Sequence, residues 1–202
     1  VVYSVATAEQ QGSSVLLDTA DNGLVKDIVQ KEVVYEDMKV SMGIYLMDKK
    51  VYERLIRSAY EHGGSDFLLD AIIRQAGEYN IYGYAHDGYV AHITSTAAYY
   101  RASMEMLQPE IWQGLFMGGS PIYTKVKDEV PVQYKDTAQV TNSLVANGCI
   151  IRGEVENSIL FRGVKVGKGV KIRNCIIMQK CDVQDDSVVE NVICDKNVII
   201  TR

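Results

Sequence analysis

The chain has 202 residues, 47% of them hydrophobic and 23% charged, with a net charge of −5. That is globular composition with enough apolar material for a core. An acidic balance speaks against nucleic acid, and no apolar run approaches the roughly 20 residues that span a bilayer.

The charge is uneven. Residues 1–137 carry 12 Lys and Arg against 19 Asp and Glu, and residues 138–202 carry 9 against 7. Two segments of different character follow. In chain order, Val1–Ala6 and Ser14–Asp18 read as strands, with Asp21-Asn22-Gly23 as a turn. Met42–Leu46 reads as another. Asp48 is placed to cap a helix carrying Val51, Leu55 and Ala59. Asp66 is placed to cap a second, with Leu69, Ile72, Ile73 and Ala76 inward and Gly77 as its stop. Ile81–Ala85 and Tyr89–Ile93 predict a hairpin through Asp87-Gly88, and a helix follows from about Ser95 to Leu107. Residues 108–137 lack periodicity and are punctuated by Gly118-Gly119-Ser120-Pro121 and Pro131, as a linker would be.

From Ala138 a six-residue beat takes over. Leu160, Val166, Ile172 and Met178 form one register; Ser158, Val164, Val170 and Ile176 form another. After a one-residue slip the beat returns at Val183 and Val189, and at Ser187, Ile193 and Ile199. Neither a helix nor a simple strand has this period, but a parallel β-helix does. Aliphatic side chains should point inward, with Gly163, Gly167, Gly169, Asn174 and Asn191 at corners that need positive φ. Three six-residue sides per turn give about three turns in 138–202. Period alone leaves handedness open, and parallel crossovers are usually right-handed.

The four cysteines, at 149, 175, 181 and 194, form no CxxC pair and read as buried reduced thiols. That favours a cytoplasmic setting. The chain begins at Val1 without Met and ends within a repeat, which reads as a fragment cut at both ends. No phosphate-binding glycine loop, metal-ligand spacing or nucleophile elbow is present. The basic run Arg152, Arg162, Lys165, Lys168, Lys171 and Arg173 reads as a solvated outer face, with an anion-binding patch as the alternative.

Ser41-Met-Gly-Ile-Tyr45, the α/β stretch after it, and Ile122-Tyr-Thr124 leading into hexapeptides resemble the glucose-1-phosphate adenylyltransferase family. So do Asn142-Ser143-Leu144-Val145, Gly148-Cys149-Ile150-Ile151, Val155-Glu156-Asn157-Ser158 and Asp195-Lys196-Asn197-Val198. The resemblance implies that residues 1–107 are the back half of a nucleotidyltransferase-like α/β domain. It further implies that 108–137 link this to a left-handed parallel β-helix at 138–202. It implies sugar-phosphate contacts at Lys31, Ser41, Tyr45, Asp66 and Phe67, in a degraded motif set. Gln30-Lys31-Glu32 keeps the Lys but not its neighbours, and Asp66-Phe67-Leu68-Leu69-Asp70 loses the family's Gly-Lys. In Gly88-Tyr89-Val90-Ala91-His92-Ile93-Thr94-Ser95 the family's Trp is Val90 and its metal-binding Asp is His92.

Mg²⁺ is the family's expected cofactor, and none is expected on this fragment. With no catalytic residue assigned, the chain is similar to the regulatory-type subunits that some bacteria pair with a catalytic one in glycogen synthesis. The implied partners are a catalytic adenylyltransferase subunit or a further copy of the chain, and a small anionic effector. A working adenylyltransferase is the alternative. An acyltransferase would need a histidine in the coils, and residues 138–202 contain none.

Overall fold

The computed structural model describes every residue except 8, 9, 120, 121 and 136, and says nothing of the side chains of 10 and 11. The Ser120-Pro121 part of the linker signal therefore lies outside the described residues. The chain divides into two compact units, Val1–Val90 and Ala91–Arg202. Among the described residues no helix is long and apolar enough to cross a membrane.

The first unit is a five-stranded sheet with helices on one face. Strands β1 (Val2–Val5), β2 (Gln10–Thr19), β3 (Val25–Val34) and β4 (Lys39–Ser41) are followed by helix α1 (Lys49–Glu61), a π-helix at Phe67–Ile73 and the short strand β5 (Tyr84–Ala85). The sheet order is β3-β2-β4-β1-β5. Only β1 and β5 pair in parallel; the other pairs are antiparallel. Leu17 and Ile28 join Leu55, Ala59, Ala71 and Ile72 in the main core, while Leu16, Val34 and Val40 build a smaller one with Ala6.

Three local expectations change here. The strand expected at Met42–Leu46 sits earlier, at Lys39–Ser41, because Val40 pairs with Ser4 of β1 and with Leu16 of β2. No hairpin forms across Asp87-Gly88. Instead Tyr84 and His86 donate their backbone N–H to Val1 and Tyr3, taking up hydrogen bonds that the edge of β1 offers. The second helix winds as a π-helix, which rotates its faces. Ala71 and Ile72 are buried, Leu69 is turned out, and Gly77 falls in a 3₁₀ turn rather than ending the helix.

The second unit opens with α2 (Thr96–Glu105), capped by the Ser95 hydroxyl, and α3 (Pro109–Phe116). The second of these was missed in the sequence, although Pro109 at a first-turn position is a helix-start signal. The parallel β-helix follows. Its first face stacks Gln139–Thr141, Glu154–Glu156, Lys171–Arg173 and Val188–Glu190. Its second stacks Leu144–Val145, Ile159–Leu160, Ile176–Ile177 and Ile193–Cys194. Its third stacks Gln133–Tyr134, Ile150–Ile151, Lys165–Val166, Asp182–Val183 and Ile199–Ile200. The coil therefore has about four turns and already has a rung at Gln133–Tyr134.

A turn takes seventeen residues, not eighteen: Lys171 pairs with Val188 and Ile176 with Ile193. One side of each turn is five residues long. The inward column runs Leu160, Val166, Ile172, Ile177, Val183, Val189, Cys194. The slip expected once thus recurs on every turn. Met178 is only half-buried, and Ile177 takes its place. The neighbouring column continues from Val170 to Cys175 and Cys181, not to Ile176. Ile176 pairs with Ile159 and Ile193 on the outer side, and Ile199 is 64% exposed. Ile176 is sealed all the same, beside the point where the Tyr100 hydroxyl donates to the Asn174 carbonyl at 2.8 Å.

One turn is shorter still. Gln139 pairs with Glu154, fifteen residues on, because the corner at Arg152-Gly153 lacks two residues. A Cβ on Gly153 would lie 2.5 Å from the Val170 carbonyl oxygen and 2.9 Å from that of Gly167. We expect Gly153→Ala to destabilise the fold by about 1–3 kcal/mol, read as a lower unfolding midpoint of the full-length protein. Ser187 presents the opposite case. It is 2% exposed and its hydroxyl has no partner among the described residues. Ser187→Ala should raise stability by about 1 kcal/mol in the same denaturation assay.

Candidate functional site

In the first unit the chain leaves β4 through Ser41 and turns at Gly43, whose φ of +69° suits glycine. The Ser41 hydroxyl accepts the Gly43 N–H at 3.2 Å. Backbone bonds between Met42 and Val2, and between Val2 and Ile44, tie the segment to β1. Tyr45 is thereby carried toward the π-helix, where its ring meets Phe67 edge-on at 6.0 Å. Asp48 caps α1 through the Lys50 N–H at 2.7 Å, and one turn later Tyr52 reaches the same Phe67 at 5.6 Å. The three rings wall a cavity of about 510 Å³, completed by Gly43, Met47 and Lys49. That volume and apolar lining suit a small ligand.

Of the residues expected to contact a sugar phosphate, the structure brings Tyr45 and Phe67 together at this cavity. Asp66 is exposed and works as a helix cap, its carboxylate accepting the Leu69 N–H at 2.8 Å. Asp70 fixes the same turn by accepting the N–H groups of Ser65 (2.9 Å) and Asp66 (3.0 Å). Those bonds, followed by the Arg74 guanidinium, hold its carboxyl below the usual range. Ser41 is buried within the turn it stabilises.

Lys31 stands apart. It pairs with Ser14, two positions along from the Leu16–Val29 pair. It therefore faces the same side as Leu16 and Val29, which pack in the smaller core, whereas Tyr45 and Phe67 pack with the main one. Lysine 49 and Tyr52 were missed in the sequence. The only signal for them was the first turn of an amphipathic helix directly after Tyr45.

His92 belongs to the second unit. It is half-buried, and its Nε2 is shut off from solvent without a partner among the described residues. Burial pushes its pKa below 6.5, so the ring is neutral near pH 7. Mg²⁺ prefers hard oxygen ligands and near-octahedral geometry. A neutral imidazole supplies neither charge nor oxygen, and no described group of three His, Cys, Asp or Glu is placed to share a metal ion. The residues present do not fit Mg²⁺.

Three residues of the basic run in the coil, Lys165, Lys171 and Arg173, stand opposite carboxylates on neighbouring rungs. Arg173 lies 3.3 Å from both Glu156 and Glu190. Lys171 is opposite Glu154, and Lys165 is opposite Asp182. The Lys168 N–H donates to Asp185 at 2.8 Å. The four cysteines are all buried and unpaired. Burial raises the thiol pKa of Cys149 and Cys175 and pushes Cys194 up to about 11.

Fold and repeat define the class: an α/β segment followed by a parallel β-helix of hexapeptide repeats. Residues 129–202 match the GlmU-like, C-terminal hexapeptide family. The chain is 47% identical over 169 residues to the glycogen biosynthesis protein GlgD of Bacillus subtilis, covering 84% of this chain and 49% of that protein. It is 54% identical over 71 residues to GlgD of Geobacillus stearothermophilus, covering 35% and 21%. It is 28% identical over 170 residues to the glucose-1-phosphate adenylyltransferase of Desulfitobacterium hafniense strain DCB-2, covering 82% and 42%. The chain is thus a GlgD homologue, related more distantly to the glucose-1-phosphate adenylyltransferases. It spans about half the length of the B. subtilis relative.

Because the folded state disfavours protonated His92, the unfolded chain binds the extra proton first as pH falls. Stability should therefore decline as pH drops through 6.5 and level off below the lowered native value. In urea titrations from pH 7.5 to 5, His92→Asn should flatten that slope; an unchanged slope would assign it elsewhere.

Proposed function

We propose that this chain is part of a glycogen biosynthesis protein that serves as the regulatory partner of a catalytic glucose-1-phosphate adenylyltransferase subunit. Its own conversion of ATP and glucose 1-phosphate to ADP-glucose and diphosphate is weak or absent, and it works in the cytoplasm. The similarity to GlgD supports the pathway. The observation that carries the regulatory reading is His92, where the resembling family has a metal-binding carboxylate. Attack of a sugar phosphate on a nucleotide phosphate is chiefly positioning and charge neutralisation. Losing one such electrostatic contact costs on the order of 10²–10³ in rate.

Tyr45 and Phe67 wall an open cavity where the resembling family is expected to hold the sugar. That favours a retained ligand pocket. It is also the one feature that speaks for the second reading, a working adenylyltransferase.

The full-length protein should be assayed for ADP-glucose formation alone and after co-expression with a catalytic homologue from the same source. The expected outcome is little turnover alone and a changed rate or effector response in the co-expressed sample. Robust turnover alone would favour the second reading. No effect on the catalytic homologue would remove the regulatory one.

A further inference from the structure

We propose that the third face of the coil is a self-association surface, on which a second copy of this chain docks with its coil axis reversed. The proposal does not depend on the regulatory reading above. Outward side chains on this face stand in two columns. Rung pairing sets the first as Ile150, Lys165, Asp182 and Ile199. Two residues further along each strand, Arg152, Gly167, Gln184 and Thr201 form the second, and residues of both columns line a depression of about 770 Å³. The first column reads apolar, cation, anion, apolar, so it is its own complement when inverted. A two-fold axis parallel to the strands, between the rungs of Lys165 and Asp182, sets Lys165 of one protomer against Asp182 of its partner, twice. The same axis sets Ile150 against Ile199, also twice, and Ile199 is 64% exposed in the single chain. In the second column it brings Gln184 over Gly167, where the face has no side chain. Gly167 is bare for a local reason, since a Cβ would lie 2.7 Å from the Asp185 nitrogen, but the result is a flat floor that accepts a side chain from outside.

Charge distinguishes this face from the other two. On the first face Arg173 already touches two carboxylates of its own coil, Glu156 and Glu190. Its ends are also unlike, with Gln139 at one and Val188 at the other. The second face carries Leu144, Ile159, Ile176 and Ile193 in its outward column, with no charge to set an orientation. On the third, Lys165 has Asp182 on one side and Ile150 on the other, and neither Lys165 nor Asp182 makes an ion pair among the described residues. A reversed copy supplies the second carboxylate and closes a ring of four alternating charges. Such a ring fixes orientation more than it adds strength. Four rungs rise roughly 14 Å, so the face buries well under the roughly 800 Å² per partner of a standard interface. The dimer is accordingly weak, with a dissociation constant in the micromolar range or above.

Sedimentation equilibrium of the full-length protein, from low micromolar to several hundred micromolar, reads the association. The variants are Lys165→Asp, Asp182→Lys and the double exchange of both. Either single reversal should raise the dissociation constant about tenfold or more, since it faces like charges at two places. The double exchange restores opposite charges and should return the constant to within about threefold of the wild type. An equimolar mixture of the two single variants should associate as the wild type does, because each supplies the charge the other lacks. That recovery is specific to a reversed pairing of Lys165 with Asp182. A wild-type protein that stays monomeric throughout, or that associates with no change in either single variant, overturns the proposal. So does a mixture that fails to recover. If the wild type is monomeric and Lys165→Asp instead weakens its binding to a co-expressed catalytic homologue, the face belongs to that partner and self-association is wrong. Circular dichroism of each variant establishes that it is folded.

Discussion

The coil must change direction three times in every turn of seventeen residues, and the backbone does so where it accepts a positive φ. Those positions fall in columns. Asn142, Asn157, Asn174 and Asn191 form one, with φ between +41° and +56°. Gly148, Gly163, Lys180 and Asn197 form a second, and Gly169 with Asp186 a third. A left-handed residue with a Cβ costs roughly 1–2 kcal/mol, least for Asn and Asp. The asparagine column offsets that cost by bonding to itself, each side-chain amide donating to the next at 2.9, 2.6 and 3.2 Å. Fixed corners fix the register of every strand between them. The regular stacking of the three faces is a consequence of the corners.

A coil closed this tightly has an interior one side chain wide. Branched aliphatics and thiols fill it, and chemistry is pushed to the outside. There the faces differ. The first carries an ionic ladder through Arg173, and the second a row of Leu144, Ile159, Ile176 and Ile193. The ladder also accounts for part of a long basic stretch in an acidic protein: rung stacking sets Lys165, Lys171 and Arg173 against carboxylates that lie seventeen residues away in the chain. Exposed pairs of this kind contribute little stability individually. They do prevent like charges from facing one another across a 4.8 Å rung spacing, about the strand separation of any sheet.

The architecture of the second unit could be read from its sequence because period and corner chemistry agree. Gly163, Gly169, Asn174 and Asn191, picked as corner residues, all have positive φ; Gly167 instead lies close under Asp185, where a Cβ would sit 2.7 Å from that residue's N–H nitrogen. What escaped was the five-residue side. A single slip cannot be told from a recurring one over so few turns, and consecutive isoleucines at 176 and 177 leave the inward choice open. In the first unit the misread hairpin at Asp87-Gly88 has a different cause. Strand pairing there is decided by a free edge more than eighty residues upstream, which local turn chemistry does not register. The face on which Lys31 lies was not legible for a similar reason. A strand residue's face depends on its register with β2, and the chain between Gln11 and Ser14 carries an irregularity.

Four residues that resemble the family's sugar-site motifs have structural work in this fold. Ser41 holds the Gly43 turn, Tyr45 and Phe67 pack into the main core, and Asp66 caps the π-helix. Each has a structural task that persists whether or not a substrate is bound. A carboxylate at position 92 would have had none: the site is partly shut from water, it offers Nε2 no partner, and it favours a neutral group. A buried carboxylate there would be stable only with a cation beside it. Where no cation is bound, the fold itself favours a neutral residue at that position. Retained motif residues are therefore poor witnesses to catalysis in this chain. The stronger witness is the one position where folding and metal binding make opposite demands, and there the residue suits folding.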